Sequence, residues 1–246
     1  MSHPPSAHPA APAHGSPTNS QVTSGLFRFS VTQFLVALVL MLIANPILDE
    51  FTNGEILASA AMTLVLISAV LAIGGHGRLL VLTILLVLPA LAAQWIDRYR
   101  PGLVPAWIST SAGLVFVAFV ITQLLRFILR APRVNSDVLC AGISAYLLLG
   151  LLWAVAYRLV ARLAPTSFSI LPGPAGNQSL DRFNALYYSF VSLTCLGCND
   201  IVPLSRIARM LTMAESTTGV LYLGVMIARL VALYSRPQRR TPSRSG

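Results

Sequence analysis

The chain has 246 residues, of which 55% are hydrophobic and only 10% are charged, and its mean hydropathy is +0.73. Soluble domains carry about 25% charged residues, so this composition excludes a water-soluble protein, and we expect no enzyme. Three cysteines form at most one pair, which excludes a secreted domain held by several disulfides. The net charge of +9 does not indicate a nucleic-acid partner, because the arginines are spread over the chain rather than gathered in one block.

The N-terminal half divides into a tail and four apolar segments. Residues 1–28 are rich in Pro, Ala, Ser and His and show no hydrophobic periodicity, which predicts a disordered tail. Residues 29–134 contain four stretches without formal charge, each close to the ~20 residues that a helix needs to cross the hydrocarbon core. These stretches are 31–48, 56–74, 79–96 and 105–125. They predict a four-helix transmembrane region, which is not a usual voltage sensor because the fourth stretch contains no arginine.

The C-terminal half, residues 135–235, contains a fifth apolar span near 138–157 and a last one near 207–234, and residues 236–246 form a basic tail. With an even number of crossings, the side that holds both termini has slightly more arginines, which favours the cytoplasm for that side. We therefore expect an all-α integral protein of the plasma membrane, with six transmembrane helices in contact with lipid and both termini cytoplasmic.

The segment between Arg182 and Arg206 does not fit a simple span. It is apolar but short, and Gly197, Asp200 and Pro203 end its helical character. A half-length apolar helix followed by irregular backbone indicates a re-entrant loop between the fifth and sixth spans. Non-helical backbone at membrane depth is tolerated only where it is buried in protein or lines a water-filled path. This segment is therefore the candidate functional region.

Residues 185–200, ALYYSFVSLTCLGCND, resemble the pore helix and selectivity filter of the potassium channel family, in which two aromatics precede a Thr-rich turn and the sequence TVGYGD. Pro203 follows at the family's spacing, and Arg209 lies in the first turn of the last helix. Gly219 lies where the family has its gating hinge glycine. The resemblance covers residues 138–234 and implies an outer helix, a pore helix, a filter and an inner helix, which make residues 135–235 a pore domain.

What the resemblance implies can be stated residue by residue. Tyr187 and Tyr188 correspond to the aromatics of the pore helix. Backbone carbonyls of the filter replace the hydration shell of the permeant ion, which would be potassium or another monovalent cation. One chain supplies one filter loop, so the resemblance implies a homotetramer. It implies no cofactor and identifies no further protein partner.

The filter departs from the family pattern at several positions. The ungapped alignment places it at Thr194, Cys195, Leu196, Gly197, Cys198, Asn199 and Asp200. Cys195 replaces the threonine whose hydroxyl completes the innermost ion site, and a thiol is a poor ligand for a hard alkali cation. Cys198 replaces the tyrosine that braces the family's filter. We therefore expect altered selectivity.

Two further hypotheses stay open. The first is a channel-like regulatory subunit that does not conduct. The second is a membrane thiol protein that senses redox state or metals, because Cys195 and Cys198 form a C-x-x-C pair and a candidate site for soft ions such as cadmium. Glu215 in the last span either braces the filter from behind or reaches Arg209 or the outer interface, and the second interpretation is favoured.

Overall fold

The computed structural model describes residues 31–44, 105–130, 136–170, 180–197 and 200–234, together with single residues and short runs between 60 and 96. The predicted tails at 1–28 and 236–246 lie outside the described residues, and so do Cys198 and Asn199 of the predicted filter. The predicted second and third spans are described only in part, and they are helical where they are described.

Five helices have bounds that the described residues define, and we number these five in chain order. They are α1 (Val31–Ala44), α2 (Ala106–Arg130), α3 (Ser136–Leu163), α4 (Arg182–Leu193) and α5 (Arg206–Tyr234). Stretches of α2, α3 and α5 are long and apolar enough to cross a membrane, whereas α1 is a shorter apolar helix. These three helices correspond to the predicted fourth, fifth and last spans. The chain is thus mostly helical, as expected of an all-α membrane protein, and six crossings remain a prediction.

A small β-ladder joins the ends of α3 and α5, and the sequence analysis did not predict it. A 3-10 turn at Pro165–Ser167 leads into strand β1 (Phe168–Ile170), and strand β2 (Ile201–Pro203) precedes α5. The strands pair antiparallel, with Phe168 opposite Pro203 and Ile170 opposite Ile201. Extended backbone outside a helix needs partners for its polar groups, and each strand supplies them for the other. The C-terminal end of α3 therefore lies beside the N-terminal end of α5.

The main hydrophobic core joins α1 and α2 to α3. Its buried residues include Val31, Phe34 and Leu38 of α1, Phe116, Val117, Val120, Leu124 and Ile128 of α2, and Val138, Ala141, Ala145 and Leu148 of α3. They recur at intervals of three and four residues, so each helix presents one apolar stripe. At one end of this contact, Arg162 Nη1 donates a hydrogen bond of 2.5 Å to Thr110 Oγ1. Helices from the region 29–134 thus pack directly on the unit that carries the candidate site.

The ring of Phe190 from α4 packs against Gly150 of α3, and this contact gives the first testable prediction. A Cβ at this position would lie 2.8 Å from Cζ of Phe190. Gly150→Ala must therefore displace the ring or the helix, which we expect to lower the free energy of unfolding by about 1–3 kcal/mol. Thermal unfolding of the purified protein in detergent measures this effect.

Gly113→Ala on α2 is the matched control for that measurement. Among the described residues, no atom outside the neighbouring backbone of α2 lies within 4 Å of a Cβ added at Gly113. Alanine favours a helix over glycine by about 0.5–1 kcal/mol, so this variant should be neutral or slightly more stable. Equal unfolding midpoints for the two variants would contradict the close contact between α3 and α4.

Candidate functional site

The short helix α4 lies between α3 and α5 and runs in the same direction as α5. It has 12 residues, so at ~1.5 Å per residue its length of about 18 Å is well short of a ~30 Å hydrocarbon core. Near its middle, the hydroxyls of Tyr188 and Thr212 are hydrogen-bonded at 2.7 Å. At its end, Leu193 lies against Gly219, near the middle of α5. α4 therefore ends at half the depth of the long helix.

The chain leaves α4 and returns to the level at which α4 begins. Tyr188 and Thr212 each follow the first residue of their own helix, Arg182 or Arg206, by the same number of positions. Because these two helices run parallel, the hydrogen bond between Tyr188 and Thr212 places Arg182 and Arg206 at a similar level. Residues 194–205 make the return, and they include strand β2. This path has the geometry that the sequence predicted for a re-entrant segment.

Both ends of α4 are capped by local hydrogen bonds. At the N-terminus, Asp181 accepts a hydrogen bond of 2.7 Å from the backbone N–H of Asn184, as expected of an N-cap aspartate. At the C-terminus, the N–H of Cys195 donates to Ser192 O at 3.1 Å, and that of Leu196 donates to Val191 O at 3.0 Å. These two bonds form a Schellman motif, in which the residue after the cap adopts the left-handed conformation. Cys195 occupies that position with φ 57°.

The predicted filter begins in this cap. Thr194 Oγ1 donates to Phe190 O at 2.7 Å, so its hydroxyl turns back toward the helix end. The side chains of Thr194, Cys195 and Leu196 are exposed, Leu196 to 79%. Gly197 has φ 84°, a conformation that glycine adopts without steric cost. Asp200 is exposed. The described positions thus form an irregular, exposed backbone directly after a half-depth helix.

A buried carboxyl group lies behind α4. Glu215 of α5 is fully buried, and its carboxyl group is hydrogen-bonded to Tyr157 Oη of α3 and, at 2.5 Å, to Ser189 Oγ of α4. The favoured interpretation of a pair with Arg209 is wrong, because Arg209 Nε donates instead to Pro203 O at 3.1 Å. Residues six apart on a helix point about 120° apart at 3.6 residues per turn, so Glu215 and Arg209 do not share a face.

A sequence pattern in α5 could have predicted the contact of Glu215 with α4. Thr212 and Gly219 lie three and four positions from Glu215, and Ser216 lies four positions from Thr212 and three from Gly219, so the four residues form one stripe on α5. Ser216 Oγ donates to Ser192 O at 2.9 Å, so this small and polar face is the surface that α4 contacts. A stripe of small and polar residues in an apolar span indicates a contact with another protein segment.

Three aromatic rings support the middle of α4. Tyr157, Phe168 and Tyr188 contact one another edge to face, with ring centroids 5.0 to 5.7 Å apart. Such pairs contribute about 0.5–1.5 kcal/mol each beyond their burial. Tyr188 is therefore a buried support of α4, although Cys198 replaces the tyrosine expected beside it. Its neighbour Tyr187 is 39% exposed and lies on another face of the helix.

Gly219, the predicted gating hinge, is a site of close packing in this structure. A Cβ added there would collide with the backbone carbonyl of Leu193. The glycine thus allows the C-terminal end of α4 to approach α5, and its role as a hinge remains a prediction. Within the described residues, no group of three or more His, Cys, Asp or Glu is placed to hold a metal ion. Cys195 is exposed and forms no disulfide with a described residue, and its thiol lies 3.9 Å from Ser216 O.

Comparison with known proteins identifies one similarity. Residues 144–236 match the model of a protein family described as an ion channel. The matched range covers less than half of the chain and contains most of α3, all of α4 and α5, and the return segment between them. No curated protein and no solved structure shows a significant match. The match supports an ion-channel domain in the part of the chain that holds the re-entrant segment.

The left-handed conformation of Cys195 gives a prediction that tests the cap. This conformation costs a non-glycine residue roughly 1–2 kcal/mol, so Cys195→Gly should raise the free energy of unfolding by about 1 kcal/mol. Cys195→Ala retains a Cβ and should leave stability unchanged. Thermal unfolding of both variants in detergent measures the difference, and identical midpoints would show that residue 195 is not left-handed.

Proposed function

We propose that this chain forms a potassium-channel-like cation pore and that residues 194–200 line its filter. The re-entrant course of α4 is the observation that carries the proposal. It brings an exposed, irregular backbone to the middle depth of α5, where inward-facing carbonyls can replace the hydration shell of an ion. The C-terminal end of α4 also carries partial negative charge, which favours a cation at that level.

The pore requires several copies of the chain, and we propose a homotetramer in the plasma membrane with six crossings per chain and cytoplasmic termini. The surface of α5 supports an assembly, because most of its large apolar side chains are exposed in the single chain. They include Ile207, Met210, Met213, Val220, Leu221, Val225, Ile227 and Val231. In a tetramer, neighbouring copies and lipid would cover these side chains.

The permeant ion in this proposal is potassium or another monovalent cation, with a selectivity that differs from the family's. The hydroxyl of Thr194 is engaged by α4, and Cys195 offers a soft thiol where the family has a threonine hydroxyl. A non-conducting regulatory subunit is the alternative. Measuring ion flux separates the two, because the alternative predicts an assembled protein without current.

The decisive experiment measures the reversal potential of the purified protein in liposomes under a potassium/sodium gradient. We expect a cation current whose reversal potential lies between the potassium equilibrium potential and zero. A variant that restores the family's filter sequence should have a reversal potential closer to the potassium equilibrium potential. This variant combines Cys195→Thr, Leu196→Val, Cys198→Tyr and Asn199→Gly.

The control is the size of the detergent-solubilised protein, measured for the wild type and for the variant with the restored filter, which shows whether each forms a tetramer. A tetramer that passes no ions with either filter would refute the proposed pore. A wild-type tetramer that is silent while the restored variant conducts would support the regulatory-subunit alternative instead.

The exposed thiol of Cys195 provides a separate test of which residues face the ion path. If residue 195 lines the pore, four thiols surround one axis, and thiolates bind soft ions such as cadmium strongly. We expect micromolar cadmium to block the current of Cys198→Ser, which keeps the thiol of Cys195, and to leave that of the double variant Cys195→Ser/Cys198→Ser largely unblocked. Cys140→Ser, which changes a partly buried cysteine of α3, is the matched control and should remain cadmium-sensitive. Equal block of Cys198→Ser and the double variant would place residue 195 away from the pore.

A further inference from the structure

Four groups from three helices meet behind α4 in a closed chain of contacts. Tyr157 Oη of α3 contacts Glu215 Oε2 of α5. Glu215 Oε1 lies 2.5 Å from Ser189 Oγ of α4, and that hydroxyl lies 2.7 Å from Gly150 O of α3. Ser189 and Glu215 are fully buried. The Tyr157 hydroxyl has one further partner, Thr212 of α5, whereas the described residues provide no other hydrogen-bond partner for Ser189 or Glu215.

A count of hydrogens determines the protonation state that fits this geometry. The three contacts need three hydrogens, and the hydroxyls of Tyr157 and Ser189 supply one each. An ionised Glu215 supplies none, so Ser189 would have one hydrogen for two acceptors, Glu215 Oε1 and Gly150 O. One pair of oxygens would then face each other unbonded at hydrogen-bond distance, inside a buried site where an unmade bond is costly.

A protonated carboxyl group supplies the missing hydrogen. Tyr157 then donates to Oε2 of Glu215, Oε1–H of Glu215 donates to Ser189, and Ser189 donates to Gly150 O. Each hydrogen has one acceptor, and each contact is a hydrogen bond. The chain of bonds runs from α3 through α5 and α4 and returns to α3.

Among the described residues, no positively charged group is found to interact with Glu215. The titratable groups that interact with it are Tyr157 and Tyr146, both from α3. From α4, the hydroxyl of Ser189 is its hydrogen-bond partner. The nearest arginine along α5, Arg209, is hydrogen-bonded to Pro203 O. Burying an unpaired carboxylate in an apolar site is far more costly than burying a neutral acid.

We propose that Glu215 is a neutral carboxylic acid whose proton joins α4 to the two long helices, which makes it a positioning residue for the filter. The position of α4 determines the position of the filter, because the hydrogen bond from Leu196 N to Val191 O fixes the start of the filter to the helix end. The part of this inference that concerns the filter rests on the proposed function. The protonation state does not.

Infrared spectroscopy of the purified protein at neutral pH tests the protonation state without any measurement of ion flow. The difference spectrum between wild type and Glu215→Gln should contain the C=O stretching band of a protonated carboxyl group. The matched control is Asp181→Asn, which changes an exposed N-cap carboxylate to another good N-cap residue. Its difference spectrum should show only carboxylate bands. A carboxylate band in place of the C=O band for Glu215 would overturn the proposal.

Two variants test the positioning role. In Glu215→Gln, the amide oxygen accepts from Tyr157 and the NH₂ group donates to Ser189, so all three bonds persist, and we expect the melting temperature and permeability ratio of wild type. Glu215→Leu removes two of the bonds and should lower the melting temperature by several degrees and shift the potassium/sodium permeability ratio at least twofold. Loss of current in an assembled Glu215→Gln tetramer would overturn the proposal. A silent wild type would refute the proposed pore, and the infrared result would still decide the state of Glu215.

Discussion

Backbone that is not helical can lie at membrane depth only if protein surrounds it, and α4 is the element by which this chain meets that constraint. The helix is too short to stand alone across the bilayer, so its position depends on contacts with α3 and α5. Gly150 and Gly219 allow the backbones of these helices to approach α4 closely. Everything proposed for residues 194–200 depends on this fixed position.

The contacts of α4 are polar on one side and aromatic on another. Against α5 they are hydrogen bonds of Tyr188, Ser189 and Ser192, and against the end of α3 and β1 they are the rings of Tyr157 and Phe168. In a membrane, apolar side chains gain little by leaving lipid for protein, so directional hydrogen bonds and close packing decide which segments associate. This division explains why a span that holds Thr212, Glu215 and Ser216 is less apolar than its neighbours.

The large features of the fold followed from the sequence because they depend on local properties. Charge-free length predicted α2, α3 and α5, and Gly197 and Pro203 predicted that α4 is a half-length helix with an irregular return. The partner of Glu215 and the β-ladder did not follow, because both depend on contacts between distant segments. The strands are three residues each, which is too short for alternation to be recognised.

The candidate site could be predicted from the sequence to a similar extent. The position of Thr194 to Gly197 after a short helix was expected, whereas the left-handed conformation of Cys195 was not, since cysteine carries no such preference. The supporting role of Tyr188 was also missed, because its ring partners Tyr157 and Phe168 come from elements that precede the re-entrant segment.

The ladder of β1 and β2 fixes where the return segment joins α5. Side chains alternate along β2, so that Ile201 is buried and Val202 is exposed. The other end of the segment is fixed to α4 by the cap at Cys195. A slip of β2 by one position would turn Ile201 toward solvent, so burial of this side chain holds the strand in register. A change in the length of the segment over evolution would therefore have to be absorbed between the cap and the ladder, in the stretch proposed to line the filter.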